Sequence, residues 1–392
     1  MRIGIDARMY SSEFTGIGRY VYELVENLLT IDKKNEYVLF MNEPEYSKYE
    51  PRNKRVSKVL VGARHYSLAE QVRFLWKLWR ARLDLMHFTH FNAPILYREP
   101  SVMTIHDLTL SFYPGKKMNS WFFRTAYKVV FANAVRHAKR IIAVSQNTKK
   151  DLEEVSGVCP SRVEIVYNGV SDVFGPRADR EGLAELLKKY NITREYMLYT
   201  GVWRSHKNLV NMVKGFALLC EDEGFDPLLV ITGNENPYYP EVKRTVKDLG
   251  LEHKVVFTGM VPEDELVAMY QGARLYVFPS LYEGFGLPPL EAMRCGTPVV
   301  ASQVSCIPEI CGEGNAVFFD PYDPENIAGA MRRVWLDEEL QAELRERGLK
   351  HSRKFSWVKM AEKTLEVYDE AFAALKTLKC CKHGRHKKAK KK

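Results

Sequence analysis

The chain has 392 residues, 46% of them hydrophobic and 27% charged, with 24 Gly and 18 Pro, a composition that excludes collagen-like, low-complexity and wholly disordered chains. At roughly 150 residues per domain, the length predicts two or three domains, each large enough for its own core. The net charge of +9 is local: residues 379–392, KCCKHGRHKKAKKK, hold eight Lys or Arg and no acid, and removing them takes the charge from +9 to +1. A near-neutral body with no interleaved aromatic and basic face excludes specific nucleic-acid binding.

The first strand is predicted at 2–6 (RIGID), followed by a loop holding Gly16 and Gly18 and a helix over 19–30. Strands follow at 37–40, 85–88, 101–107, 140–145 and 163–169, with helices over 67–82 and 120–138. The segment 175–190 begins polar and non-periodic and reads as a linker. The pattern then restarts, with strands at 196–201, 227–233, 254–259, 274–280 and 297–302 and helices at 208–222, 240–249, 263–272 and 288–295. A closing amphipathic helix over 355–372 has no strand after it. Alternating strands and helices imply parallel sheets covered on both faces, and two consecutive doubly wound α/β units are expected. Such sheets bind ligands outside the carboxyl ends of their strands, and two facing units would make one cleft.

No run approaches the ~18 apolar residues of a membrane-spanning helix. MRIGIDARMY places Asp6 and Arg8 where a signal peptide needs an apolar stretch. Seven cysteines, odd in number and without zinc or redox spacing, fit reduced thiols, so a soluble, cytoplasmic protein is expected. Cys380, Cys381, His383 and His386 would chelate a metal only adventitiously.

Chemistry is sought in the loops after strands. Gly16 and Gly18 would let backbone approach a phosphate at a helix N-terminus, although a tight turn explains them equally. His106 ends the strand before Asp107 and would donate to a hydroxyl or phosphate; His87 and His90 follow the previous strand, and all three also suit structural roles. Arg204, His206 and Lys207 open the first helix of the second unit, a loop suited to a diphosphate. The densest signal is LYEGFGLPPLEAMRCGTPVVAS, 281–302, where Glu283 and Glu291 stand eight apart around Gly284, Phe285 and Gly286. A carboxylate accepts hydrogen bonds from a vicinal diol, so the loop would grip a hexose and the helix a ribose.

The stretch Glu283–Glu291 and its continuation resemble the E-x7-E signature of glycosyltransferase family 4, retaining enzymes of GT-B fold. The similarity runs through residues 1–375 and takes in GIDAR with GIGRY, VSQNTKKDL, YNGV, FTGMVPEDEL, IPEI and FSW. It implies an acceptor-side domain over 1–175, completed by a helix over 355–378, and a nucleotide-sugar domain over 176–354; the basic tail over 379–392 falls outside the resemblance and is expected to be disordered from its density of like charge. By the same resemblance, Glu291 holds the donor ribose, and Glu283 with the Gly284, Phe285 and Gly286 amides holds the donor sugar. Lys207 and Arg204 bind the diphosphate with Gly16 and Gly18 nearby, and His106 contacts the donor sugar and steers attack. Val202 departs from the family, which carries a basic residue there; Arg204 would supply that charge.

The implied activity is metal-independent, retaining hexosyl transfer from a nucleotide-diphosphate sugar, which is a substrate and not a cofactor, to a saccharide or lipid-linked acceptor in surface-polysaccharide assembly. The W-R-x-H-K-N stretch at 203–208 resembles mannosyltransferases using GDP-mannose. The tail 379–392, and the segment 66–82 with Phe74, Trp76 and Trp79, suit an anionic membrane surface at the inner face. A two-unit NAD-dependent oxidoreductase and a non-catalytic nucleotide-sugar-binding scaffold are the rival readings; the first lacks a third glycine after Gly16 and Gly18 and leaves the Glu283/Glu291 pair unexplained.

Overall fold

The computed structural model describes residues 1–11, 16–114, 121–176, 182–222 and 225–389, with backbone alone at 122, 123 and 375–389. The chain divides into two compact units. The first comprises Met1–Leu108, Ser120–Gly169 and the closing segment from Trp357; the second comprises Thr109–Asn119 and Val170–Ser356. The boundary therefore falls at Gly169, six residues before the expected 175, and a short excursion from Thr109 groups with the second unit.

The first unit is built on β1 (Arg2–Asp6), β2 (Glu36–Met41), β3 (Val56–Leu60), β4 (Leu85–Phe88), β5 (Ser101–Ile105), β6 (Arg140–Ala143) and β7 (Val163–Ile165). They form one parallel sheet ordered β3-β2-β1-β4-β5-β6-β7. The second unit holds β8 (Tyr196–Thr200), β9 (Leu228–Thr232), β10 (Val255–Gly259), β11 (Leu275–Phe278), β12 (Val299–Ser302) and β13 (Val317–Phe319), parallel and ordered β10-β9-β8-β11-β12-β13. Central strands such as SVMTI, YMLYT and LLVIT are buried at every residue, which is why they read as unbroken apolar runs. In each unit the order reverses beside the first strand, between β1 and β4 and between β8 and β11. Side chains on the loops at those two points are the ones a doubly wound sheet offers to a ligand.

Two points of the sequence reading are corrected. The edge strand β3, VSKVL, went unread because Lys58 interrupts its apolar run; the ammonium instead donates to the Tyr46 and Tyr49 carbonyls, 2.6 Å each. The linker expected to 190 already holds a helix at Leu183–Lys189, while its part over 177–181 lies outside the described residues. The closing helix runs from Trp357 to Ala389. Lys, Arg and Ala are good helix formers, one Gly is tolerated, and cations near a helix C-terminus complement its dipole. The side chains of Cys380, Cys381, His383 and His386, and residues 390–392, lie outside what is described.

The closing helix buries Met360, Ala361, Thr364, Val367, Tyr368 and Ala371 in the first unit. Tyr368 meets His87 Nδ1 at 2.6 Å, and His87 Nε2 meets Thr104 Oγ1 at 2.8 Å. Burial holds the His87 imidazole neutral, at a pKa of about 3, and His87 is a packing residue.

The helix expected over 67–82 consists of a π turn, Glu70–Phe74, running into an α-helix, Leu75–Ala81. The wider turn shifts the phase of the apolar face. Phe74, expected on an outer surface, is fully buried against Phe40 and Phe88, with the Arg8 guanidinium 4.2 Å over its ring. Leu68, Val72, Trp76 and Trp79, spaced by four, four and three residues, are each more than half exposed, between 51% and 88%.

Beneath this segment lies a buried ionic cluster. The Arg8 guanidinium donates to both Asp6 oxygens at 2.7 Å and to Glu70, which also accepts two hydrogen bonds from Asn92, at 2.7 and 2.8 Å. Burial works against the charge on Arg8, but Asp6 and Glu70 more than offset it and hold the guanidinium firmly protonated. Removing Glu70 leaves Arg8 paired with Asp6 but strands the buried Arg8 and Asn92 donors that Glu70 accepts from, at a cost of roughly 2–6 kcal/mol in all. Glu70→Ala is accordingly expected to lower unfolding free energy by about that amount in urea titration; a loss under about 1 kcal/mol would show that the cluster is solvated.

Candidate donor-binding site

The site residues of the second unit lie on the two loops flanking its switch point. After β8 the chain passes Gly201, Val202, Trp203 and Arg204 into a short 3-10 turn, Ser205–Lys207, and then a helix, Leu209–Leu219. After β11 it passes Tyr282, Glu283, Gly284, Phe285 and Gly286 into the helix Leu287–Arg294. Gly286 sits at φ 95° as the N-cap, a conformation that costs glycine little. Pro288 and Pro289 fit the first turn because N–H groups there have no intrahelical partner.

These loops are joined by charge. The Lys207 ammonium donates to Glu283 Oε1 at 2.5 Å, with the two side chains only 18% and 14% exposed. Burial pushes the Glu283 carboxyl up, but the charge of Lys207, then that of His206, and the hydrogen bond from Lys207 hold it below its ordinary value. Ser305 Oγ and Cys306 Sγ both donate to the Glu283 carbonyl, at 2.8 and 3.1 Å, and fix its backbone. Glu291, one helical stretch on, accepts from the buried Tyr270 hydroxyl at 3.2 Å.

Sequence reasoning overlooked Asn208. At φ 58° it precedes the helix Leu209–Leu219, and its buried amide donates to the carbonyls of Pro279 (3.1 Å) and Pro321 (2.7 Å), binding the Lys207 loop to the β11 loop. It also passed over a pattern legible in the chain: β8, β9 and β10 each end in Thr-Gly, at Thr200-Gly201, Thr232-Gly233 and Thr258-Gly259. The three glycines lie at φ 145°, 109° and 71°. A Cβ on Gly233 would stand 2.1 Å from the Gly201 carbonyl oxygen, so this edge of the sheet is closed by bare backbone.

Arg204 is exposed on the β8 loop beside Lys207, and Val202 is 40% exposed where the family carries a cation. Gly284, Phe285 and Gly286 are buried around Glu283. Gly16, Gly18 and His106 belong to the first unit. Gly16 opens the helix Gly16–Ile31 and a Cβ there would meet nothing within 4 Å, while Gly18 is buried two residues on, within the first turn; loop residues 12–15 lie outside the described residues. His106 follows β5, and its Nε2 lies 2.8 Å from the Thr89 carbonyl, an acceptor that requires the N–H on Nε2. Burial lowers its pKa, so the ring is neutral near pH 7.

Comparison with known proteins agrees with this architecture. The model of glycosyl transferases group 1 matches residues 182–351 and that of glycosyltransferase family 4 matches residues 14–173. The alpha-maltose-1-phosphate synthase of Mycolicibacterium smegmatis is 30% identical over 72% of this chain and 76% of its own. The O-antigen chain mannosyltransferase B of Escherichia coli is 28% identical over 90% of this chain and 96% of its own. The serotype-specific mannosyltransferase WbdA of Escherichia coli is 31% identical over 68% of this chain, but that match spans only 33% of the relative's length. Among solved structures, a sucrose-phosphate synthase from Thermosynechococcus elongatus superposes with a TM-score of 0.76 at 20% identity, over 95% of this chain and all of its own. Two Rossmann-like units carrying the Glu283–Glu291 signature define a glycosyltransferase of GT-B fold. The chain belongs to glycosyltransferase family 4, within the group 1 glycosyl transferases.

The Lys207–Glu283 pair predicts a pH signature. A carboxyl depressed below its unfolded value contributes stability that is present above that value, about 4.3, and is lost as pH falls through the folded value. In Lys207→Ala the largest lowering influence is gone and His206 is left opposing burial, so the folded value rises and this pH-dependent stability shrinks. The melting temperature of Lys207→Ala should fall less than that of the wild type between pH 6 and pH 3.5; parallel curves would refute the coupling.

Proposed function

We propose that the protein is a retaining hexosyltransferase that moves mannose from GDP-mannose onto a saccharide or lipid-linked saccharide acceptor in cell-surface polysaccharide assembly. The observation that carries the reading is the Lys207–Glu283 pair at the switch point of the second sheet, with the glycine loop beside it and Glu291 on the adjoining helix. Donor binding is assigned to Glu291 at the ribose, to Arg204 and Lys207 at the diphosphate, and to Glu283 with the Gly284, Phe285 and Gly286 backbone at the sugar. The choice of mannose rests on relatives named as mannosyltransferases and on W-R-x-H-K-N at 203–208.

In the proposed reaction the anomeric C–O bond to the diphosphate breaks and a bond forms to an acceptor hydroxyl on the same face. The departing phosphate oxygen takes the hydroxyl proton. Negative charge grows on that phosphate, and preorganised cations and amides aimed at it lower the barrier, roughly 3–4 kcal/mol for one well-placed donor. Lys207 fits this task because Glu283 already holds its ammonium in place. Gly16 and Gly18 would lie by the phosphates, and His106, neutral and anchored through Nε2, is assigned to the donor sugar. Arg204 and Lys207 supply the countercharge in this scheme, so activity is expected to survive EDTA.

The exposed stripe of Leu68, Val72, Trp76 and Trp79, interspersed with Arg73, Lys77 and Arg80, supports peripheral contact with an anionic membrane, to which the basic residues of 379–392 would add. Among the described residues no helix is long and apolar enough to cross a membrane.

Three measurements test the proposal. At one hundred times its dissociation constant, GDP should add about 2.7 kcal/mol of stability, absent in Glu291→Ala; turnover of GDP-mannose with net retention then separates an enzyme from a binding scaffold. A shift with UDP alone would reassign the donor, and an inverted product would refute retention. Replacing Trp76 and Trp79 by Ala should reduce co-sedimentation with phosphatidylglycerol vesicles at least severalfold; no change would remove the stripe from the membrane reading.

A further inference from the structure

Behind Glu291 stands a row of hydroxyls that the proposed reaction does not use. Tyr270 donates to Glu291 Oε2 at 3.2 Å, Thr200 Oγ1 lies 2.7 Å from the Tyr270 hydroxyl, and the Tyr276 hydroxyl lies 3.1 Å from Thr200 Oγ1. Tyr270 and Tyr276 are fully buried and Thr200 nearly so, whereas Glu291 is partly exposed. An ionised carboxylate accepts only, so the Tyr270 proton must point at Glu291. Each hydroxyl has one proton, and the direction of the whole row follows: Thr200 donates to Tyr270, and Tyr276 donates to Thr200. Burial, then the Glu291 charge, pushes the Tyr270 phenol well above its ordinary value, so it remains a donor throughout the working range.

The row also crosses the switch point. Thr200 ends β8, immediately before the loop of Arg204 and Lys207; Tyr276 lies on β11, and Tyr270 on the helix Glu263–Gly272. Phe174 packs edge-on against Tyr270, with ring centroids 6.0 Å apart, and limits its movement. The carboxylate is thus oriented from inside the core by elements that also set the two loops of the candidate site.

We infer that Tyr270 is a positioning residue for the nucleoside end of the donor: it holds the plane of the Glu291 carboxylate so that the carboxylate can accept from both hydroxyls of a ribose diol. The inference rests on the assignment of Glu291 to the ribose. A carboxylate that turns freely about its last torsion loses the geometry for two simultaneous hydrogen bonds, and with it most of its preference for the diol over a sugar lacking it.

The test is the ratio of dissociation constants for 2′,3′-dideoxy-GDP and GDP, measured by calorimetry on the full chain, with the uridine pair in parallel. Two hydrogen bonds to a charged acceptor predict a wild-type ratio of about one hundred. Glu291→Ala should bring it to about one, and Tyr270→Phe to below about ten. Tyr276→Phe removes a buried hydroxyl two links away; it should lower the melting temperature to a similar degree as Tyr270→Phe while leaving the ratio within about twofold of wild type. That variant separates lost stability from lost orientation. A wild-type ratio in Tyr270→Phe, with collapse in Glu291→Ala, would overturn the positioning role alone. A ratio unchanged in Glu291→Ala would overturn the ribose assignment and the inference with it.

Discussion

The second unit depends on one constraint: its central strands are buried on both faces, so no side chain along them can meet solvent, and polar chemistry emerges only where strands end. The reversal of strand order between β8 and β11 then selects two loops out of all those at that edge. Lys207 on one and Glu283 on the other meet because the topology delivers them there, 76 residues apart in sequence. Their ion pair is worth little as stability in itself, since desolvation consumes much of the attraction. What it supplies is a cation and a carboxylate held in fixed positions before any ligand arrives.

The same physics acts differently in the first unit. Glu70 is fully buried and shared between Arg8 and Asn92, so its bonding capacity is spent inside the protein. Its role is to seat the π turn over Arg8 and Phe74, which leaves Leu68, Val72, Trp76 and Trp79 outward. Glu283 keeps part of its surface in contact with solvent. Two carboxylates with similar partners thus serve different ends according to how much of each remains exposed.

The regular elements were legible because parallel strands produce apolar runs and their crossover helices produce a 3.6-residue period. The edge strand β3 was hidden by Lys58, whose charge is satisfied by carbonyls from a neighbouring turn that no local pattern announces. The candidate site was legible where backbone and charge requirements coincide in one short stretch, as at Glu283–Glu291. Asn208 and Tyr270 were not, because one acts through the carbonyls of Pro279 and Pro321 and the other lies on a separate helix behind Glu291. The Thr-Gly endings of β8, β9 and β10 could have been read, since three strand ends with glycine signal close backbone approach.

By itself the sequence determined the alternation of elements, the doubly wound class of both units and the family signature. Periodicity and glycine placement are local properties, written within a few residues of where they act. Only the tertiary structure decided that Lys207 is held by Glu283, that Glu291 is oriented from the core by Tyr270, that Phe74 turns inward while Trp76 and Trp79 face out, and that the basic stretch continues a helix to Ala389. The first three depend on contacts between residues far apart in the chain or on a helical phase reset by one wide turn. The last depends on an amphipathic helix already seated on the first unit, from which further turns propagate at one hydrogen bond per residue fixed.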